Sequence, residues 1–160
     1  MTDKELFFEH VDWRKLSRRK YLTKSFIRKY KDELEWACIS ECQKLSEDFI
    51  REFKDYIYWK EISRCQILSE SFIREFKDKI NWYNVSWYQK LSEDFIIEFK
   101  DKVHWVDISY YQNLSEDFIC EFQDKLYIKY LINNKKISKK ILEAYNKELN
   151  KVSRLDLIDL

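Results

Sequence analysis

The chain has 160 residues, of which 45% are hydrophobic and 18% aromatic, enough for one domain with a sizeable core. It contains no glycine and no proline, which excludes a glycine-rich phosphate-binding loop and leaves the turns to residues with ordinary backbone preferences. The net charge of +1 is unevenly spread, because residues 1–31 carry 10 basic and 4 acidic side chains whereas residues 32–126 carry 12 and 21.

A repeat organises the whole chain, and its step is 23 residues, as from Gln43 to Gln66. The run Leu-Ser-Glu-Asp-Phe-Ile, or a variant of it, begins at Leu22, Leu45, Leu68, Leu91 and Leu114, and the tryptophans keep the same step. We predict a single solenoid domain, 1–160, with a degenerate first unit 1–21, repeats 22–44, 45–67, 68–90, 91–113 and 114–136, a final partial unit 137–152 and a tail 153–160.

The basic run near the N-terminus allows two interpretations. Between Arg14 and Lys31 there is no acidic residue. Contact with phosphates or with an acidic partner is one interpretation, and a solvated end repeat with a polar outer face is the other. The residues that would bind an anion are Arg14, Lys15, Arg18, Arg19, Lys20, Lys24 and Arg28.

The first half of each repeat is predicted to form an amphipathic helix of about three turns. In repeat 45–67, Phe49, Phe53 and Ile57 lie on one face of that helix. Ser46 is the predicted N-cap, and its slot holds Ser or Thr in every copy: Thr23, Ser69, Ser92, Ser115 and Ser138. The acidic pairs that follow recur identically in nearly every copy, so we interpret them as helix-start residues that complement the helix dipole rather than as catalytic carboxylates.

The second half of each repeat predicts a shorter helix with one constant and one variable face. The constant face carries Trp59, Ile62, Ser63 and Gln66, and nearly the same residue types recur one repeat later. We predict that the glutamines bond to backbone or to each other in the adjoining turn, and that tryptophans such as Trp82 are largely buried between units.

These patterns predict an all-α fold. Two short helices cannot bury their own apolar faces, so the units must stack on their neighbours. We therefore expect an α-solenoid of stacked two-helix repeats that keeps the period seen in the sequence. The sequence offers no unique polar cluster, so we expect neither enzymatic activity nor a cofactor.

Aromatic residues on the variable face are the candidate partner-binding site. They are Tyr83, Trp87, Tyr88, Tyr110 and Tyr111. Exposed Tyr and Trp are typical anchors of protein interfaces. Packing of some of these rings into the groove between units is the alternative interpretation.

The other candidate ligands favour structural roles. Cys38, Cys42 and Cys65 recur on second helices, but no CxxC pair accompanies them, so we predict reduced cysteines and no metal site. His10 and His104 precede tryptophans and are interpreted as surface or capping residues. The aspartates of the Asp55 row either cap the second helix or pair with lysines of neighbouring units.

The repeat motif resembles short tandem repeats of proteins from giant DNA viruses of the Mimivirus kind. The resemblance covers about residues 22–131 and rests on Leu-Ser-Glu-Asp-Phe-Ile, Phe-Lys-Asp-Lys and Trp-x-x-Ile-Ser. It implies a viral protein that works inside the host cell, and it carries over no functional residues. Independently, the sequence has no apolar run long enough for a membrane span and no apolar signal-peptide core, so an intracellular protein is expected.

We therefore predict a non-enzymatic scaffold that binds a protein partner through the variable face of its second helices. Binding of nucleic acid or another anionic surface through the basic N-terminal unit is the alternative. Salt dependence separates these two functions, because phosphate contacts weaken steeply with salt.

Overall fold

A computed structural model of the chain describes residues 11–19, 21–133 and 143. Those residues form eleven α-helices and no strand, and helices of the same kind recur at the period of the sequence repeat. The predicted all-α repeat fold is confirmed. The chain divides into two compact units, Met1–Gln89 (unit 1) and Lys90–Leu160 (unit 2), beside the predicted boundary between two repeats.

In unit 1, the second helices of successive repeats pack against one another. The described helices are α1 (Trp13–Ser17), α2 (Lys24–Lys29), α3 (Trp36–Cys42), α4 (Glu47–Glu52), α5 (Trp59–Cys65), α6 (Glu70–Glu75) and α7 (Trp82–Tyr88). Helix α1 contacts α3, α3 contacts α5, and α5 contacts α7. This side-by-side stacking is the solenoid arrangement.

Unit 2 repeats the same alternation. Its described helices are α8 (Glu93–Glu98), α9 (Trp105–Tyr111), α10 (Glu116–Glu121) and α11 (Ile128–Asn133). The second helices α9 and α11 contact each other, as their counterparts do in unit 1. The predicted partial unit 137–152 and tail 153–160 lie outside the described residues, except for Glu143.

The predicted hydroxyl caps start the first helices. Ser69 Oγ accepts from Phe72 N at 3.2 Å, and the same bond recurs in the copies that begin with Thr23, Ser46, Ser92 and Ser115. Ser138 lies outside the described residues. The following acidic residue has a structural task, since Glu47 Oε1 accepts from Ser69 N of the next repeat at 2.6 Å.

The first helix is shorter than the predicted three turns. Phe49, Phe53 and Ile57 are buried as expected, yet α4 ends at Glu52. Beyond that point, Ser40 Oγ accepts a hydrogen bond from Tyr58 N, and the indole of Trp59 donates to the carbonyl of Lys54. In a longer helix, Tyr58 N would have donated to the carbonyl of Lys54; here a side chain binds each of these two backbone groups instead.

Within each unit, buried serines join one second helix to the next. Ser63 Oγ donates to Trp59 O at 2.7 Å within its own helix, and it accepts from Asn81 N of the next repeat at 2.9 Å. Asn81 is the N-cap of α7. A hydroxyl of one repeat thus satisfies the first backbone N–H of the following second helix.

Buried glutamines hold the loops together. Gln66 Nε2 donates to Ser40 O at 3.0 Å and to Gln43 O at 2.8 Å, and its Oε1 accepts from Leu45 N at 3.0 Å. The predicted backbone bonding is confirmed, and the loop that Gln66 binds is the one that leads from the preceding repeat into its own.

The loops manage without glycine because their backbone stays in ordinary regions. Gln66 leaves α5 directly into an extended conformation, with φ −99° and ψ 153°. Tyr21 is the single non-glycine residue with positive φ (78°) among the described residues. A glycine is therefore not needed at these helix ends.

The tryptophan row is less uniformly buried than predicted. Trp36 is 6% exposed and packs on Phe53, whose ring centroid lies 4.9 Å away. Trp82 is partly buried, so the expected burial of Trp82 is met only in part. Its indole nitrogen donates to Lys77 O at 3.0 Å, as that of Trp36 does to Lys31 O.

Candidate partner-binding surfaces

Three of the predicted aromatic residues form a cluster on α7, here called the first aromatic cluster: Tyr83, Trp87 and Tyr88. The ring of Trp87 lies 5.8 Å from that of Tyr83 and 5.7 Å from that of Tyr88. Tyr83 is 47% and Tyr88 50% exposed, whereas Trp87 is partly buried against both. The cluster therefore presents a broad aromatic surface with a supported centre.

The opposite side of α7 fixes this cluster in place. Val85 and Ser86 are fully buried. Asn84 is also buried, and its Nδ2 donates to Lys60 O of the preceding second helix at 2.9 Å. Because Val85 and Ser86 of the constant face and the buried Asn84 make the packing contacts, the aromatic side chains are carried by α7 without being required for its core.

The two remaining predicted aromatic residues lie in unit 2. The rings of Tyr110 and Tyr111 on α9 are 4.5 Å apart, and both residues are exposed. Tyr130 of α11 lies 5.6 Å from Tyr110, and Tyr127 lies 6.2 Å from Tyr130. These four tyrosines make up the second aromatic cluster.

Tyr127 and Tyr130 were not predicted as site residues. Both belong to the repeat frame, one full repeat after His104 and Asp107, and Tyr127 is 51% exposed. Extending the comparison of second helices by one further repeat would have found Tyr130, which occupies the slot of Asn84 and Asp107. It would not have found Tyr127, which occupies the slot of the N-cap residues Asn81 and His104.

The predicted basic residues do not share one environment. Arg28 makes two 2.7 Å bonds to the carboxylate of Glu52 of the next repeat, and this lowers the pKa of Glu52. Lys24 Nζ donates to Ser46 Oγ at 3.0 Å. These two cations are therefore engaged within the repeat stack, and Lys20 lies outside the described residues.

Four other basic residues stay at the surface: Arg14, Lys15, Arg18 and Arg19. A hydrogen bond to the Cys38 side chain is the main cause that raises the pKa of Arg18. Among the described residues, no carboxylate forms an ion pair with Arg14, Lys15 or Arg19. Among the described residues, the anion-binding hypothesis therefore applies best to the surface of α1 and the two residues that follow it, Arg18 and Arg19.

Charged pairs also link second helices. Arg64 Nη2 lies 2.9 Å from a carboxylate oxygen of Glu41 in the preceding repeat. One repeat later, the position of Arg64 is occupied by Trp87. Asp55 shows the predicted pairing with a lysine of the next repeat, since Lys79 Nζ is 3.5 Å away. Exposed pairs of this kind contribute little stability each.

The cysteines and His104 differ in their surroundings. Within the described residues all four cysteines are free, and no group of three or more His, Cys, Asp or Glu side chains could hold a metal ion. Burial raises the pKa of the Cys42 and Cys65 thiols. His104 precedes α9 as its N-cap residue, and its Nδ1 lies 2.7 Å from Asp107, whereas His10 lies outside the described residues.

Comparison with protein-family models, curated proteins and solved structures found no match to this chain. The resemblance to giant-virus repeats therefore stays a prediction from the motif. Within the described part of the chain, no helix has the length and apolar character needed to cross a membrane.

Proposed function

We propose that this protein is a non-enzymatic repeat scaffold that binds a protein partner through the variable face of its second helices. The observation that carries the proposal is the first aromatic cluster, three rings held at the surface of α7 while Val85 and Ser86 supply the core contacts. Interfaces concentrate binding energy in Tyr and Trp side chains that sit on a rigid support.

The repeat organisation supports this division of labour. Slot 87 holds Arg64 one repeat earlier and Tyr110 one repeat later, whereas the glutamine and serine rows keep their residue type. Arg64, Trp87 and Tyr110 are all at least partly exposed, so the changes in volume and charge at this slot do not disturb a close-packed core. The surface slots of the variable face are therefore available for recognition, and the constant slots are committed to the fold. Variation alone does not mark a surface position, because the slot of Asn84 also varies and yet Cys38, Asn84 and Asp107 are buried there.

An affinity pull-down from expressing cells with the full-length chain tests the proposal. We expect the captured partner to be lost with Tyr88→Ala and Trp87→Ala in unit 1, and with Tyr111→Ala in unit 2. Ile67→Ser is the matched control, because Ile67 is 96% exposed but lies in a loop beyond the second-helix face.

The alternative function predicts the opposite pattern. Arg18→Glu combined with Arg19→Glu would then lose the ligand, while the aromatic variants keep it, and raising the salt concentration would weaken binding steeply. Equal capture by all of these variants would contradict both functions.

A further inference from the structure

A groove lies between α1 and α2 in unit 1. It has a volume of about 440 Å³, within the usual range for ligand pockets, and its walls include Val11, Leu16, Phe26 and Tyr30. Lys15, Arg19 and Asp12 complete the lining. The groove is thus mostly apolar, with a basic rim.

The apolar walls are more exposed than the same positions of the next repeat. Leu16 and Phe26 are partly exposed, whereas their counterparts one repeat later, Ile39 and Phe49, are at most 1% exposed. Tyr30 is likewise partly exposed, and its counterpart Phe53 is buried. Here an apolar surface that the later repeats of unit 1 bury remains accessible.

The charges at the rim favour an anionic partner. Lys15 and Arg19 each contribute a cation, and Arg14 lies nearby on α1. Asp12 is the single acid of the lining, and its Oδ1 already accepts from Lys15 N at 2.8 Å as the N-cap of α1. The net field of the groove is therefore positive.

We propose that this groove binds an acidic peptide segment of a partner protein that carries a large aromatic side chain. The aromatic ring would lie against Phe26 and Tyr30, whose own rings are 4.6 Å apart, and flanking carboxylates would pair with Lys15 and Arg19. Duplex nucleic acid meets the cations through its phosphates and leaves apolar walls unused, so the walls favour a peptide over a duplex. Single strands can stack their bases on aromatic rings, and the oligo-dT arm of the test below separates them from the peptide. This site is separate from both aromatic clusters, and its failure would leave the proposed function intact.

Fluorescence anisotropy with the full-length chain tests this site. The probe is a labelled hexapeptide, Asp-Glu-Phe-Glu-Phe-Asp, and the reference peptides replace its acids by amides or its phenylalanines by serine. We expect the acidic aromatic peptide to bind, and each reference peptide to bind about tenfold more weakly or worse, a ratio that corresponds to about 1.4 kcal/mol.

Matched charge variants locate the binding. Lys15→Glu with Arg19→Glu should weaken the peptide affinity by about tenfold or more, since each partner carboxylate loses a charge-assisted bond. Lys44→Glu with Lys60→Glu makes the same change in net charge at exposed positions outside the groove lining and should stay within about threefold of the parent chain. Circular dichroism of each variant checks that the helices are retained.

Three results would overturn the inference. The first is no binding of the peptide by the full-length chain, including the case in which the chain's own residues 1–10 fill the groove. The second is equal loss of affinity in both charge pairs. The third is tighter binding of single-stranded oligo-dT than of the peptide, with a steep salt dependence, which would indicate a nucleic-acid surface.

Discussion

At the scale of single residues, one buried glutamine satisfies the loop that joins two repeats. Gln66 makes three bonds to backbone groups, those of Ser40, Gln43 and Leu45. A buried backbone group that loses its partner costs far more than the bond contributed, because the group has no access to water. The glutamine row is therefore the most sensitive polar feature of the repeat.

We predict that Gln66→Leu destabilises the chain by about 2–4 kcal/mol, because it leaves Leu45 N and two carbonyls without partners. The free energy of unfolding from urea denaturation, followed by far-ultraviolet circular dichroism, measures this change.

The matched control for this prediction is Lys60→Ala on the exposed face of α5. That substitution should change the free energy of unfolding by less than about 0.5 kcal/mol. A loss below about 1 kcal/mol for Gln66→Leu would show that water or a shifted loop replaces the amide, contrary to this account.

The sequence predicted which residues would be structural, but not all of their partners. The glutamine, serine and capping rows follow from the period alone. The bond between Ser63 and Asn81 joins residues that are 18 apart in the sequence, and these two residues come into contact only when the repeats are stacked. The difference in burial between Trp36 and Trp82 was not predictable either, since periodicity gives the face on which a residue lies and not how closely its neighbours cover it.

At the scale of elements, the helices are too short to stand alone. Helix α4 has 6 residues and α5 has 7. Isolated helices below about 12 residues are marginal in water. The apolar period predicted the buried face of α4 correctly, but it could not predict that Ser40 and Trp59 bind the backbone of Tyr58 and Lys54 beyond the end of α4.

We predict that a peptide of residues 45–67 alone has no stable helix, although it contains a complete repeat with its Ser46 cap. Starting a helix is unfavourable in free energy, and two short helices form too few hydrogen bonds to offset this cost. Without neighbouring repeats they also have nothing against which to bury their apolar faces. Circular dichroism of the peptide against the full-length chain makes the comparison, and a helical spectrum of the isolated peptide in water would refute it.

At the scale of the whole molecule, the repeat period is the property that the sequence specifies most strongly. The repeat period, the fold class and the helical secondary structure were all predictable, because every repeat shows the same sequence pattern. The division into two compact units was not predictable, since no change in the repeat marks Gln89. The groove was also missed, because it depends on how much of the apolar surface of α1 and α2 is exposed, and no sequence motif shows this.

We predict that inserting a second copy of residues 45–67 directly after Ile67 gives a folded and more stable protein. The inserted repeat would supply one further set of stacking contacts, and the stability of stacked repeats grows with their number. The urea midpoint should rise, and the slope of the transition should steepen with the added buried surface.

The control for the insertion is the same segment shortened by a single residue. Loss of that residue rotates the following helices out of register, so the glutamine and serine bonds cannot form across the insertion. Equal stability of the two insertions would show that register between repeats does not hold the fold.

The direction of the glutamine bonds has a consequence for how the chain is made. Each loop in the described glutamine row is completed by a side chain that lies 21 residues further along, as Leu45 is by Gln66. A ribosome delivers the N-terminus first, so a newly emerged loop stays incomplete until nearly one more repeat has been synthesised. Each loop of the growing chain can therefore form its glutamine bonds only after most of the next repeat has been synthesised. A pause of the ribosome before that glutamine leaves the backbone groups of the loop without these bonds.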